Sequence, residues 1–145
     1  MIDITHKEIT ERYARACGRI KLRRETIEEI KRGGIRKGDA LEAAKVAAIL
    51  AVKRTPELIP HCHPIEITDV KVGFELGEDH VVACVEVRSV SRTGAEMESL
   101  CGVSAALLTL WDMVKYLEKD ESGNYPSTVI TDIQVTHNTK MGSKP

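Results

Sequence analysis

From Arg12 to Leu22 the chain alternates, with Ala14, Ala16, Gly18 and Ile20 on one side and Tyr13, Arg15, Cys17, Arg19 and Lys21 on the other. That period of two predicts a strand. Thr26 to Lys31 carries Ile27 and Ile30 at helical spacing and predicts a short helix closed by Gly33-Gly34. The Ala-rich run from Ala40 to Lys53 predicts a second helix, with Asp39 as its cap and Glu42 three residues on. Pro56 and Pro60 bracket a turn that leads into His61-Cys62-His63-Pro64. Ile65 to Glu75 and His80 to Val90 are rich in β-branched residues, and Leu76-Gly77-Glu78-Asp79 between them predicts a hairpin. Thr93 with Glu96 is a second capping-box match and opens a long helix, Gly94 to about Lys119. Ser127 to Thr136 predicts a last strand, followed from about Asn138 by a basic, flexible tail.

The order β, α, α, β, β, α, β predicts one α+β domain over residues 1–145, with a ferredoxin-like βαββαβ core and helices mainly on one face of an antiparallel sheet. The long helix is apolar or small on nearly every side from Leu100 to Val114. One sheet cannot cover all of that, so a second subunit is expected to bury the rest and the protein to be an obligate oligomer. A net charge of −1 with three Tyr, one Phe and one Trp argues against a nucleic-acid surface, which needs a basic face and stacking aromatics. Any anionic partner is met locally. Cys17, Cys62, Cys84 and Cys101 have no CxxC spacing, which predicts free thiols in a reducing cytoplasm. Nothing at the N-terminus resembles a signal peptide, and Asp112 interrupts the apolar stretch before membrane-spanning length, so no membrane association is expected.

Several polar clusters stand out against this background. Asp112 and Lys115 are three apart and share a helix face inside the apolar stretch, where a charged pair needs a reason. They read either as acid-base machinery or as a structural ion pair near a helix end. Lys37 and Gly38 precede a capped helix N-terminus and suit a phosphate, or else a solvated basic loop. His61 and His63 point the same way in an extended segment, yet no third ligand lies near them in sequence, and neither a metal nor a cofactor is expected. A substrate-contacting turn stiffened by its prolines is the better reading, with incidental histidines as the alternative. Glu96 is explained by capping its own helix, and Glu98 is not. Glu98 and Asp112 are fourteen residues apart, about 21 Å along a helix. If both serve one site, the ligand is long or the two come from different subunits.

Taken together, Met1-Ile2-Asp3-Ile4-Thr5, Lys37-Gly38-Asp39, Leu58 to Pro64, Thr93-Gly94-Ala95-Glu96-Met97-Glu98 and Trp111-Asp112-Met113-Val114-Lys115 resemble the MoaC family of molybdenum cofactor biosynthesis proteins. The likeness runs from residue 1 to about residue 119 and weakens over the last strand and tail. It implies a hexamer built as a trimer of dimers, with active sites at dimer interfaces. It also implies a lyase reaction, cyclic pyranopterin monophosphate synthesis. The substrate would be a purine-derived triphosphate, 3′,8-cyclo-7,8-dihydroguanosine 5′-triphosphate, supplied by an upstream radical enzyme, and pyrophosphate would be released. By position, Asp112 and Lys115 match the catalytic pair, and Lys37, His63 and Glu98 match pocket residues. His61, Cys62, Glu96 and Met97 fall in matching substrate-contact segments, and Asp3, Lys7 and Arg12 align with further pocket positions. The family commonly has an apolar residue where this chain has His61, and its C-terminal Gly/Lys motif is matched only loosely by Lys140 to Lys144. A non-catalytic nucleotide-binding or scaffold subunit would use the basic loop and the His turn without needing Asp112 and Lys115 as a pair.

Overall fold

A computed structural model describes residues 1–141. Four strands, β1 (Thr10–Lys21), β2 (Glu66–Leu76), β3 (His80–Ser91) and β4 (Val129–Met141), form one antiparallel sheet in the order β2-β3-β1-β4. Between them run α1 (Arg24–Arg32), α2 (Ala40–Lys53), the single turn α3 (Thr55–Leu58) and α4 (Glu96–Glu118). Helix α4 lies across β1, β3 and β4, and α2 lies against α4 and β2. The architecture is α+β, and two split β-α-β units interleave because β1 sits between β3 and β4.

The local signals explain most of these boundaries. Ala14, Ala16, Gly18 and Ile20 of β1 are buried with Val81, Ala83, Val85 and Val87 of β3, the alternation of a sheet with one covered face. Gly33 closes α1 in the left-handed conformation at φ 74°, its N–H reaching back to the last helical carbonyls. Asp39 caps α2 by accepting the Glu42 N–H at 3.0 Å. The β2–β3 hairpin turns at Gly77, whose N–H donates to the His80 carbonyl at 2.8 Å.

Two close approaches seat α4 on the sheet. A Cβ at Gly18 would lie 2.8–3.0 Å from Ile133, Leu107 and Val103, and one at Gly102 would lie 2.9 Å from Val52 and 3.0 Å from Val85. Neither position has room for a side chain. At its far end α4 is tied down by Glu118, which is fully buried. Its carboxylate accepts the Arg23 N–H at 3.1 Å, the Thr128 hydroxyl at 2.6 Å and the Thr26 hydroxyl. One carboxylate thereby joins the start of α1, the end of α4 and the approach to β4.

Four expectations change. Strand β4 continues to Met141, so Asn138, Thr139 and Lys140 pair with β1 instead of starting a tail. Residues 142–145, including Lys144, lie outside the described residues. The Thr93–Glu96 capping box does not form: α4 starts at Glu96 with Ala95 as its cap, and the Glu96 carboxylate accepts the Asn138 side-chain N–H from β4 at 2.7 Å. A partner brought in by the sheet displaces the local one. Cys17 and Cys84, expected as thiols, are a disulfide, because β1 and β3 place them directly opposite with Cα atoms 4.1 Å apart. Finally, α4 meets the length and composition of a membrane span despite Asp112. Val103, Ala106, Leu107, Leu110 and Val114 are nonetheless fully buried, as in a core helix.

Glu118→Ala is expected to lower unfolding stability in urea by about 3 kcal/mol, since it strands two buried hydroxyl donors and the half-buried Arg23 N–H and empties volume. Protein denatured without reductant should titrate two thiols, Cys62 and Cys101, and reduced protein all four cysteines. Opening a disulfide that spans a separation of 67 residues should cost about 4 kcal/mol by chain entropy.

Candidate functional site

The polar residues singled out in sequence assemble into two groups, one at each end of α4. At the C-terminal end the fold brings Lys37 to Asp112 from 75 residues away. The Lys37 ammonium donates to Asp112 Oδ2 at 2.9 Å and to the Asp112 carbonyl at 3.1 Å, while Lys115 Nζ lies 3.1 Å from Oδ1. One carboxylate is thus held between two ammonium groups. Bonds from Lys37 first, and then from Lys115, hold the Asp112 carboxyl below its usual 3.8. A cleft of about 370 Å³ beside the pair is lined by Leu108, Trp111, Asp112, Lys115 and Ile130.

The loop that delivers Lys37 is anchored by residues no sequence pattern marked. The Arg36 backbone N–H donates to the Tyr116 hydroxyl at 3.0 Å, and the Arg36 guanidinium stacks 4.7 Å from the Tyr116 ring centre. Tyr116 lies four residues beyond Asp112, a helical spacing that places it on the neighbouring surface. That spacing was the one available signal. The expected burial of the charged pair does not hold in a single chain: the side chains of Asp112 and Lys115 are 56% and 42% exposed. Their face of α4 turns away from the sheet that covers Leu110, Met113 and Val114.

The second group surrounds the His-Cys-His turn at the start of α4. Residues 1–9 run across this turn without regular structure, and the Met1 α-amino group meets His61 Nδ1 at 3.0 Å. Clefts of about 710 and 520 Å³ open beneath that segment, and both are lined by Asp3 and His63. Lys7 and His61 line the smaller one. Asp3 accepts the N–H and hydroxyl of Thr5, which hold its carboxyl low. Cys62 donates its thiol to Glu98 Oε2 at 3.5 Å. Met97 is partly exposed next to it, and Glu98 is buried. Burial pushes the Glu98 carboxyl upward, and burial followed by the Glu98 charge pushes the Cys62 thiol to about 11.

Arg12 is not brought into either cleft: its guanidinium donates to the Arg92 carbonyl at 3.2 Å. Asn138, unmarked in sequence, orients Glu96. Among the described residues no group of three or more His, Cys, Asp and Glu side chains gathers for a metal ion. The two groups do not meet in one chain, since fourteen residues of helix, about 21 Å, separate Glu98 from Asp112.

Residues 1–141 match the model of the MoaC family. A protein of Methanococcoides burtonii is 59% identical over 140 residues, 97% of this chain and 88% of its own length. Proteins of Thermococcus kodakarensis and Pyrococcus abyssi are each 56% identical, over 97% and 99% of this chain and 90% of their own lengths. All three are named probable cyclic pyranopterin monophosphate synthases.

The Lys37–Asp112 contact predicts a titration. The carboxyl carbon of Asp112, followed by NMR, should show a midpoint below 3.8, and Lys37→Ala should move it up toward 3.8. A lowered folded-state value means that the pair's contribution to stability is present above 3.8 and is lost as pH falls through the lower, folded midpoint. An unchanged midpoint in Lys37→Ala would remove Lys37 from the group.

Proposed function

The chain belongs to the MoaC family, and we propose that it is a cyclic pyranopterin monophosphate synthase of molybdenum cofactor biosynthesis. In this reading it is a lyase that converts 3′,8-cyclo-7,8-dihydroguanosine 5′-triphosphate, delivered by an upstream radical enzyme, into cyclic pyranopterin monophosphate and pyrophosphate. The observation that carries it is the convergence of Lys37, Asp112 and Lys115, residues that match the family's pocket and catalytic positions, on one carboxylate beside an open cleft.

The chemistry follows from charge and position. Closure of the cyclic phosphate forms a bond from a sugar hydroxyl to the α-phosphorus and breaks the bond to the β-phosphate oxygen. The hydroxyl proton must leave and the departing pyrophosphate must be neutralised. Lys37 is placed to meet that developing charge, with Lys7 in support at the other end of the site. Asp112, held ionised between two ammonium groups, is a weak base that orients Lys115 and accepts a hydrogen bond from the attacking hydroxyl, whose proton leaves with the pyrophosphate, and Lys115 beside it is a proton donor for the ring rearrangement. His63 and Glu98 orient the base or relay protons, Asp3 and His61 line the clefts around them, and Glu96 and Met97 flank Glu98 on the first turn of α4. Arg12 stands at the rim and acts on the wall through the Arg92 carbonyl.

The distance between the two groups favours a site shared by two copies of the chain. What supports an oligomer is the outer side of α4, where Leu108 is 62% exposed and Met97 39%, a large apolar exposure for a helix that also forms the core. A ferredoxin-like protomer arranged as a trimer of dimers would cover that side and bring the Asp112 end of one copy toward the Glu98 end of the next.

The test is anaerobic incubation of the purified protein with the cyclised dihydro-GTP intermediate, following pyrophosphate and the pterin product by mass spectrometry. Wild type should form both. Asp112→Asn and Lys115→Ala should each reduce turnover by at least about a thousandfold with the oligomer intact on a sizing column. Normal turnover in either variant would overturn the catalytic assignment, and tight binding without product would favour a carrier subunit.

A further inference from the structure

Glu98 is the third residue of α4 and is 1% exposed, an expensive place for a carboxyl group. Its Oε2 faces the His-Cys-His turn and accepts the Cys62 thiol at 3.5 Å. Its Oε1 is buried with no hydrogen-bond partner among the described residues. Behind it lies a small cavity of about 60 Å³, lined in part by Val52, Lys53, Pro56, Ile65 and Ile67. The titratable groups facing this carboxyl are few. Cys62 comes from the turn and Lys53 from α2, while Glu96 lies on α4 itself, where Cys101 acts on Cys62; β2 and α3 present apolar residues.

We propose that Cys62 is a positioning residue, whose thiol holds one oxygen of the Glu98 carboxyl toward the turn where the substrate binds. The assignment rests on the proposed function for the statement that Glu98 faces substrate, but the contact itself does not. Cys62 is well fixed for this task. Its own N–H donates to the Ile59 carbonyl at 3.0 Å, and Pro60 and Pro64 on either side limit the backbone. The Sγ position is therefore set by the main chain, and a carboxyl bonded to it has one oxygen directed.

The bond also acts on protonation. A donor to a carboxylate favours the ionised form, so the thiol and the Glu98 backbone N–H oppose the burial that favours the acid. Removing the thiol leaves burial less opposed. Glu98 then keeps its proton to higher pH, and any limb of the pH profile that reports Glu98 moves up with it.

Cys62→Ala and Cys62→Ser separate this role from packing, because serine restores a donor at nearly the same place. In Cys62→Ala, kcat should fall about tenfold at neutral pH with KM nearly unchanged, and the limb lost in Glu98→Gln should move to higher pH. Cys62→Ser should recover most of both. An independent reading uses the protein without substrate: the infrared stretch of the protonated Glu98 carboxyl, assigned by its disappearance in Glu98→Gln, should persist to higher pH in Cys62→Ala than in wild type. A band that titrates alike in the two proteins overturns the proposal, as does Cys62→Ala with wild-type kcat and pH profile. If wild type releases no pyrophosphate while the band still moves, the proposal stands and the assignment as a synthase falls.

Discussion

Everything in this molecule is referred to the seating of α4 on the sheet. The helix reaches β1 and β3 because Gly18 and Gly102 leave no Cβ in the way, so Val103 and Leu107 settle directly onto the strands. Interiors packed to crystal density do not tolerate an extra methyl at such points without moving the partner element. The same helix carries Glu98 near its start and Asp112 near its end. Its axial position therefore decides where both polar groups stand, and the Glu118 clip at its last turn resists any slide along the axis.

From that frame the two groups acquire different electrostatic characters. Asp112 stands exposed between two ammonium groups that keep it ionised. Glu98 is enclosed, and burial favours its acid form. Two carboxyl groups on one helix are thus pushed in opposite directions, one toward the ionised form and the other toward the acid. An exposed apolar side containing Leu108 and Met97 runs between them, and covering it with a second chain would dry both ends at once.

The strands and long helices were legible because their signals are local and periodic. The alternation of β1, the Asp39 cap of α2 and the Gly33 stop of α1 each need only a few neighbouring residues to be read. Local signals failed where a distant partner competed. The Glu96 capping box gave way to Asn138 on β4, and Cys17 with Cys84, unremarkable by spacing, became neighbours through the β1–β3 register. Arg12, aligned with a pocket, is spent on the Arg92 carbonyl.

The sequence by itself determined the α+β element order, the family and the residues that carry charge or thiols, since periodicity, caps and motifs are written in adjacent positions. Only the tertiary structure decided that Lys37 meets Asp112, that Tyr116 holds the loop delivering it and that Cys62 bonds Glu98. The physical reason is separation: contacts between residues 36 to 80 positions apart depend on the packing of α4, and no local pattern encodes where that packing places them.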